Sequence, residues 1–185
     1  MMDNTEVREM AMEKNSARPL ALGLMVLGAL IRVTQQLNFA PVGAMSLFAG
    51  ARLRGWKAYA LPLVLMAITD PLLGGYSAAT PLVYLSFLIS VFIGTRLRRT
   101  ENPLAIGAGA LAGSVQFFLI TNFAWLTASN MYPHTFGGML ACYAAGLPFF
   151  ARTVASDLFY SGVLFGLHAW LSRTVARQER VAVTA

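Results

Sequence analysis

The chain has 185 residues, of which 57% are hydrophobic and only 12% are charged, and its mean hydropathy is +0.60. A water-soluble domain usually carries about 25% charged residues, so this composition excludes a soluble globular domain and predicts a polytopic integral membrane protein. The formal net charge is +6. The Lys and Arg residues lie between the apolar runs, where topology signals are found, which argues against nucleic acid as a partner and in favour of the lipid bilayer.

Both ends of the chain are polar. We expect residues 1–18 and 173–185 to be cytoplasmic tails that flank a single transmembrane domain covering residues 19–172. No small-residue cleavage site follows the first apolar run, so this run is interpreted as a transmembrane segment and not as a signal peptide.

Six apolar segments follow one another along this domain, and each is interpreted as a membrane-crossing helix. The predicted fold is therefore an all-α membrane protein, a bundle of six transmembrane helices. Several segments are shorter than the roughly 20 residues that a helix needs to cross the bilayer core, so flanking residues are expected to extend them. The segments are Leu20–Val33, Phe39–Ala51, Tyr59–Leu73, Leu82–Leu97, Leu104–Ala128 and Val154–Leu171.

A seventh apolar stretch, Thr135–Phe150, is judged by the positions of the basic residues. With six crossings, twelve Lys and Arg residues fall on one side of the membrane, and only Arg32 and Arg152 fall towards the other. An excess of Lys and Arg marks the cytoplasmic side, so both termini are predicted to be cytoplasmic. A seventh crossing would move the C-terminal arginines outside. We therefore expect Thr135–Phe150 to be a short external or re-entrant helix before the last one, bounded by Gly137–Gly138 and Pro148.

Polar side chains within membrane segments are costly unless they are paired, and they therefore indicate function. In this topology most of them fall in the outer half of the bundle, with Arg152 and Asp157 expected to open the last helix. Candidate substrate-binding residues are Asn38, Asp70, Gln116, Asn122, Trp125, Tyr132, His134 and Tyr143; candidates for structural ion pairs are Arg32, Asp70, Arg152 and Asp157.

Most of these residues also allow a structural interpretation. Asp70 could pair with Arg32 or Arg152 and only hold helices together. Gln116 and Asn122 could join helices by hydrogen bonds, and the aromatic residues could form a belt at the membrane interface. His134 could be solvated, and Cys142 could be a small packed residue instead of a ligand.

Catalytic motifs are absent from the sequence. It contains no G-x-S-x-G, no H-E-x-x-H and no nucleotide-binding Gly-rich loop. The single cysteine, Cys142, excludes an intramolecular disulfide and a metal site of several cysteines. The sequence therefore predicts neither an enzyme nor a bound metal or cofactor.

Five stretches between Asn38 and Gly166 carry a resemblance to known proteins: NFAPVGAMSLFAGA, PLVLMAITDPLLGGY, FFLITNFAWL, YPHTFGGMLACYAAGLPFF and TVASDLFYSGVLFG. Together they resemble a family of uncharacterised small bacterial membrane proteins. The layout is more distantly similar to the S component of energy-coupling-factor vitamin transporters. That resemblance implies a multi-pass protein of the bacterial cytoplasmic membrane with an outward pocket.

The function implied by this resemblance is the binding of a small solute, such as a vitamin or micronutrient, for uptake. The partners would then be the solute and an energising transmembrane or ATPase module, and Thr135–Phe150 would act as a lid. Two other hypotheses stay open from the residues alone. One is a non-transporting membrane scaffold or interaction protein, and the other is a lipid-modifying or redox enzyme that uses His134 and Cys142.

Overall fold

The computed structural model describes residues 4–34, 39–98, 100–127 and 131–184, and over these ranges it contains helices and no strand. The all-α prediction is confirmed. A short 3-10 helix, Asp70–Leu73, follows the third α-helix. The α-helices are α1 (Asn4–Thr34), α2 (Val42–Arg52), α3 (Lys57–Thr69), α4 (Thr80–Arg96), α5 (Pro103–Asn122), α6 (Ala124–Thr127) and α7 (Phe136–Thr184).

Helix α2 lies at the centre of the bundle. It packs against α1, α3, α4, α5 and α7, and nine of its eleven residues are buried. Small residues make this possible, because they let neighbouring helix backbones approach closely. The large side chains of the core, such as Phe48, Leu47 and Met25, fill the space that the small residues leave.

The closest approach is between α2 and α4 and depends on two glycines. A Cβ atom on Gly50 would overlap the carbonyl of Val91, and a Cβ atom on Gly94 would overlap the carbonyl of Leu47. Each glycine therefore lies against the backbone of the other helix. Because backbone atoms cannot rotate away as side chains do, any larger residue at these positions must separate the two helices.

The expectation of a separate short helix at Thr135–Phe150 is wrong. This stretch forms the N-terminal part of α7, a single helix of 49 residues with Pro148 inside it. Pro148, which was interpreted as a boundary, lies inside this helix. Gly146 nearby is a packing position: a Cβ atom there would lie 2.8 Å from Asn122 Oδ1 and 2.9 Å from Phe118 Cε2 on α5. Helices among other helices tolerate proline, because neighbouring groups satisfy the freed carbonyls.

The helices also continue into both predicted tails. Helix α1 begins at Asn4, and α7 runs to Thr184.

Large apolar side chains cover much of the outside of the bundle. Leu22, Leu30, Ile68, Phe92 and Trp170 are among many that are largely exposed. By length and composition alone, two helical stretches could cross a membrane, Pro103–Leu126 and Phe136–Val175, while Pro19–Thr34 and Thr80–Arg96 are apolar but shorter.

Basic residues gather at one end of the bundle. Arg52 Nη2 donates to the carbonyl of Thr100 at 3.0 Å, and Arg98 Nε donates to the carbonyl of Gly50 at 3.3 Å. Arg173 Nη2 lies 2.5 Å from Glu101 Oε2 in an exposed ion pair. The chain segments after α2 and α4 and the C-terminal half of α7 therefore meet at this basic end, and Arg32 lies at the other.

Candidate functional site

A cavity of about 750 Å³ opens at the end of the bundle opposite the basic end. It is bounded by the C-terminal part of α1, the start of α2, the end of α3 with its 3-10 helix, and parts of α4, α5 and α7. Its lining is mixed. Met66, Val83, Phe87 and Phe117 supply apolar surface; Arg32, Asp70, Ser77, Thr80, Tyr84, Ser90, Thr153 and Asp157 supply polar groups.

Several polar side chains of the lining form a hydrogen-bonded network around Asp70. Arg32 Nη2 lies 2.5 Å from Asp70 Oδ1, and the hydroxyl of Tyr84 donates to Asp70 Oδ2 at 2.6 Å. Arg32 also donates to the hydroxyl of Thr69. The side chains of Arg32 and Asp70 are only 13% and 12% exposed, so each charge depends on the other for compensation.

The backbone after α3 explains why Asp70 is held at the cavity. Asp70 begins the 3-10 helix with Pro71 directly behind it, and Gly74 and Gly75 have φ angles of 115° and 83°. Such positive φ angles favour glycine. The Gly75 N–H closes the turn on the carbonyl of Asp70 at 2.9 Å. The sequence Asp-Pro-Leu-Leu-Gly-Gly therefore reverses the chain and fixes the carboxylate at the turn.

The second carboxylate, Asp157, comes from the middle of α7 and is 4% exposed. The sequence predicted that Asp157 opens its own helix. Instead, it lies against the N-terminus of α2. The hydroxyl of Ser114 donates to Oδ2 at 2.7 Å, and the backbone N–H of Ala44 donates to the same carboxylate. Pro41 gives α2 no side-chain cap. Asp157 therefore caps α2 from another helix and complements its dipole.

Gly43 makes this contact possible, since a Cβ atom there would overlap the carboxylate of Asp157. The neighbouring Ser156 hydroxyl donates to the carbonyl of Ala40 at 3.0 Å. The segments that contain Ala40, Gly43 and Ala44 on one side and Ser156 and Asp157 on the other are far apart in sequence but in direct contact. Over the described ranges, Asp157 has no Lys or Arg within ion-pair distance.

A model of a family of unknown function, DUF6580, matches residues 12–180. The chain belongs to this DUF6580 family. The match includes every residue that lines the cavity. No curated protein and no solved structure matches the chain.

Several polar residues of this DUF6580 chain that were predicted to bind substrate are not among the residues that line the cavity. Gln116 Nε2 donates to the carbonyl of Ser86 at 2.9 Å and to Ser90 Oγ at 3.0 Å, so it joins α5 to α4. Asn122 Nδ2 donates to the carbonyl of Phe118 at 2.8 Å, and its Oδ1 lies 3.8 Å from Cys142 Sγ. The Tyr143 hydroxyl donates to the carbonyl of Leu119 at 2.8 Å.

The other predicted residues lie elsewhere. Trp125 is buried and contacts exposed His134 edge to face, with ring centroids 5.5 Å apart. Tyr132 is half-buried and does not line the cavity, and Arg152 is exposed without an ion pair among the residues the structure describes. Asn38 lies outside the described residues.

The residues that sequence reasoning missed are Thr80, Tyr84, Phe87, Ser90, Phe117 and Thr153. A signal for some of them exists. Thr80, Tyr84 and Phe87 are spaced by four and then three residues, and Thr153 and Asp157 are spaced by four, so each set shares one helix face.

The environment of Asn122 gives a prediction. We expect Asn122→Ala to lower the free energy of unfolding by about 1 kcal/mol, because it removes polar packing between α5 and α7. It should leave any solute binding at the cavity unchanged. Thermal unfolding in detergent and a solute-binding assay on the same sample check both statements. A loss of binding with unchanged stability would place Asn122 in the binding site.

Proposed function

We propose that this chain is an integral membrane protein that binds a small solute in the cavity at the end opposite the basic end, and that it serves solute uptake. The observation that carries this proposal is the cavity itself. Its volume of about 750 Å³ lies within the range of roughly 300–1,000 Å³ that is usual for small-molecule sites. Its lining combines aromatic surface with a few fixed polar groups, as such sites do.

The surface of the bundle supports a membrane location. Only 22% of the most apolar part of Pro103–Leu126 and 6% of that of Phe136–Val175 is buried inside the protein. The core helix of a soluble protein would be mostly buried, whereas these helices turn apolar side chains outward, where lipid would cover them. We propose that α1, α2, α3, α4, α5 and α7 are the six crossing helices.

The charge distribution supports an orientation. Arg52, Arg98 and Arg173 mark the basic end, which we place in the cytoplasm with both termini. The cavity then opens to the outside, as a site for uptake requires. Following the likeness to energy-coupling-factor S components, the solute would be a vitamin or related micronutrient, and a partner ATPase module or the solute gradient would drive release.

A cavity-filling substitution tests the proposal. Thr153 lines the cavity from α7 and is half-buried, so Thr153→Trp should occupy the space that the solute needs. Val163→Trp is the matched control, since Val163 is exposed on the same helix and does not line the cavity. We expect native mass spectrometry to detect a co-purified small molecule on the wild type and on Val163→Trp, and at least about tenfold less on Thr153→Trp.

The alternative is a membrane scaffold that binds no solute. The ion pair of Arg32 with Asp70 is the observation that favours it. Two charges that compensate each other can hold α1 against the end of α3 without any contact to a solute. Equal spectra for wild type and Thr153→Trp, with no bound molecule on either, would support the scaffold and contradict the binding proposal.

A further inference from the structure

We infer that the solute taken by this cavity is an organic cation, an amine or ammonium compound with an apolar body, and not an organic acid. This inference rests on the proposed binding function and specifies its ligand. Three observations carry it: the balance of charge in the lining, the surroundings of Asp157, and the aromatic rings of the same lining.

The described lining contains three charged side chains, Arg32, Asp70 and Asp157. One positive and two negative charges leave a net charge of −1. The positive charge is already engaged, because Arg32 is paired with Asp70 at 2.5 Å. An anionic solute would therefore find no available cation in this lining.

Asp157 provides the excess negative charge. Burial at 4% exposure disfavours the ionised carboxylate, and the two donors, the Ser114 hydroxyl and the Ala44 amide, offset only part of that cost. Neither partner carries a full charge, and the N-terminus of α2 supplies only about half of one. A buried carboxylate in a membrane protein normally has a cationic partner. The cavity that Asp157 lines is where a cationic solute would supply that partner.

Aromatic rings lie in the same lining. Phe87 and Phe117 pack together with centroids 5.2 Å apart, and both line the cavity with Tyr84. Ring faces attract ammonium groups, and ring edges and methylenes accommodate an apolar body. A lining that contains both a carboxylate and aromatic rings favours an organic cation over a neutral or anionic compound of the same shape.

A matched panel tests the inference on the full-length protein in detergent. The probes are phenethylamine, 2-phenylethanol and 3-phenylpropionate, which share a phenyl ring on a short chain and differ in charge. Binding is measured by calorimetry. We expect phenethylamine to bind at least about tenfold more tightly than 2-phenylethanol, and 3-phenylpropionate to bind most weakly, because charge attraction is strong in a poorly solvated site.

Two substitutions locate the charge that selects the cation. Asp157→Asn should lower the affinity for phenethylamine at least about tenfold while hardly changing that for 2-phenylethanol. Glu101→Gln is the control, since it makes the same chemical change at the basic end. If Asp157→Asn fails to fold, Thr80→Lys is the second test, since it adds a positive charge to the lining and leaves residue 157 unchanged. Thr80→Gln is its uncharged control. Thr80→Lys should weaken phenethylamine binding more than Thr80→Gln does.

The outcomes separate this inference from the binding proposal. Equal or weaker binding of phenethylamine than of 2-phenylethanol, or no effect of the charge substitutions, overturns the inference. If the neutral or anionic probe then binds and Thr153→Trp abolishes that binding, the cavity is still a solute site and only its charge selectivity is wrong. If no probe binds and Thr153→Trp changes no co-purified molecule, both are wrong.

Discussion

Replacing Arg32 with methionine is expected to lower the free energy of unfolding by about 3–5 kcal/mol. The substitution leaves the carboxylate of Asp70, 12% exposed, without its partner at 2.5 Å. The Tyr84 hydroxyl would still donate to Asp70, but a neutral donor cannot replace a full charge. Thermal and denaturant unfolding of the purified protein in detergent would measure the loss.

A double substitution shows whether the pair is the cause. Adding Asp70→Asn to Arg32→Met removes the orphaned charge, so we expect the double variant to be more stable than Arg32→Met alone. Arg152→Met is the matched control, because Arg152 is exposed and has no ion pair over the described ranges. If Arg32→Met and Arg152→Met lose equal stability, the Arg32–Asp70 pair does not stabilise the bundle.

A substitution at the crossing of α2 and α4 is expected to cause a similar loss of stability. Gly94→Val should lower the free energy of unfolding by about 3 kcal/mol or more, because the new side chain would overlap the carbonyl of Leu47. The helices would have to separate along their whole contact, and α2 would lose its central position. Size-exclusion chromatography and melting in detergent should show a reduced folded fraction.

Gly162→Ala is the control for that experiment. Gly162 also lies inside a helix, but a Cβ atom added to it meets nothing within 4 Å. Alanine is the better helix former, so this variant should be at least as stable as the wild type. If Gly94→Val melts at the same temperature as Gly162→Ala, the two helix backbones do not lie as close as described.

The sequence predicted the helices well because their signal is local. Long apolar runs define the main helices, and the grouping of Arg52, Arg98 and Arg173 follows from alternating helix directions. The boundary between Thr135–Phe150 and the last helix failed because glycine and proline were interpreted as breaks. Gly146 is small because Asn122 and Phe118 lie against it, and a single sequence cannot distinguish a glycine that bends a helix from one that packs.

The site was harder to predict because it depends on which way each side chain faces. Asp70 could be found from the sequence, which offered Arg32 and Arg152 as its two candidate partners; the structure pairs it with Arg32. Asn122 and Gln116 carry amide groups that could bind a solute, and they lie on the same helix as cavity-lining residues. Their side chains nevertheless contact the neighbouring helices α7 and α4. Asp157 was expected at the start of the last helix, but it lies in the middle of α7 and contacts the N-terminus of α2. A contact between segments that are distant along the chain leaves no periodic pattern in the sequence, so it could not be predicted from the sequence.

The unbroken course of α7 has a mechanical consequence. Its 49 residues span roughly 74 Å, more than twice the thickness of a bilayer core. Asp157 at the cavity and Arg173 at the basic end lie on the same rod, and no proline separates them. A tilt of this part of α7 as one body would therefore move both sites. A rotation of about 10° around Asp157 would carry Arg173 by roughly 4 Å, more than the 2.5 Å that separates it from Glu101. A tilt of α7 at the cavity would therefore break the ion pair at the basic end of the bundle.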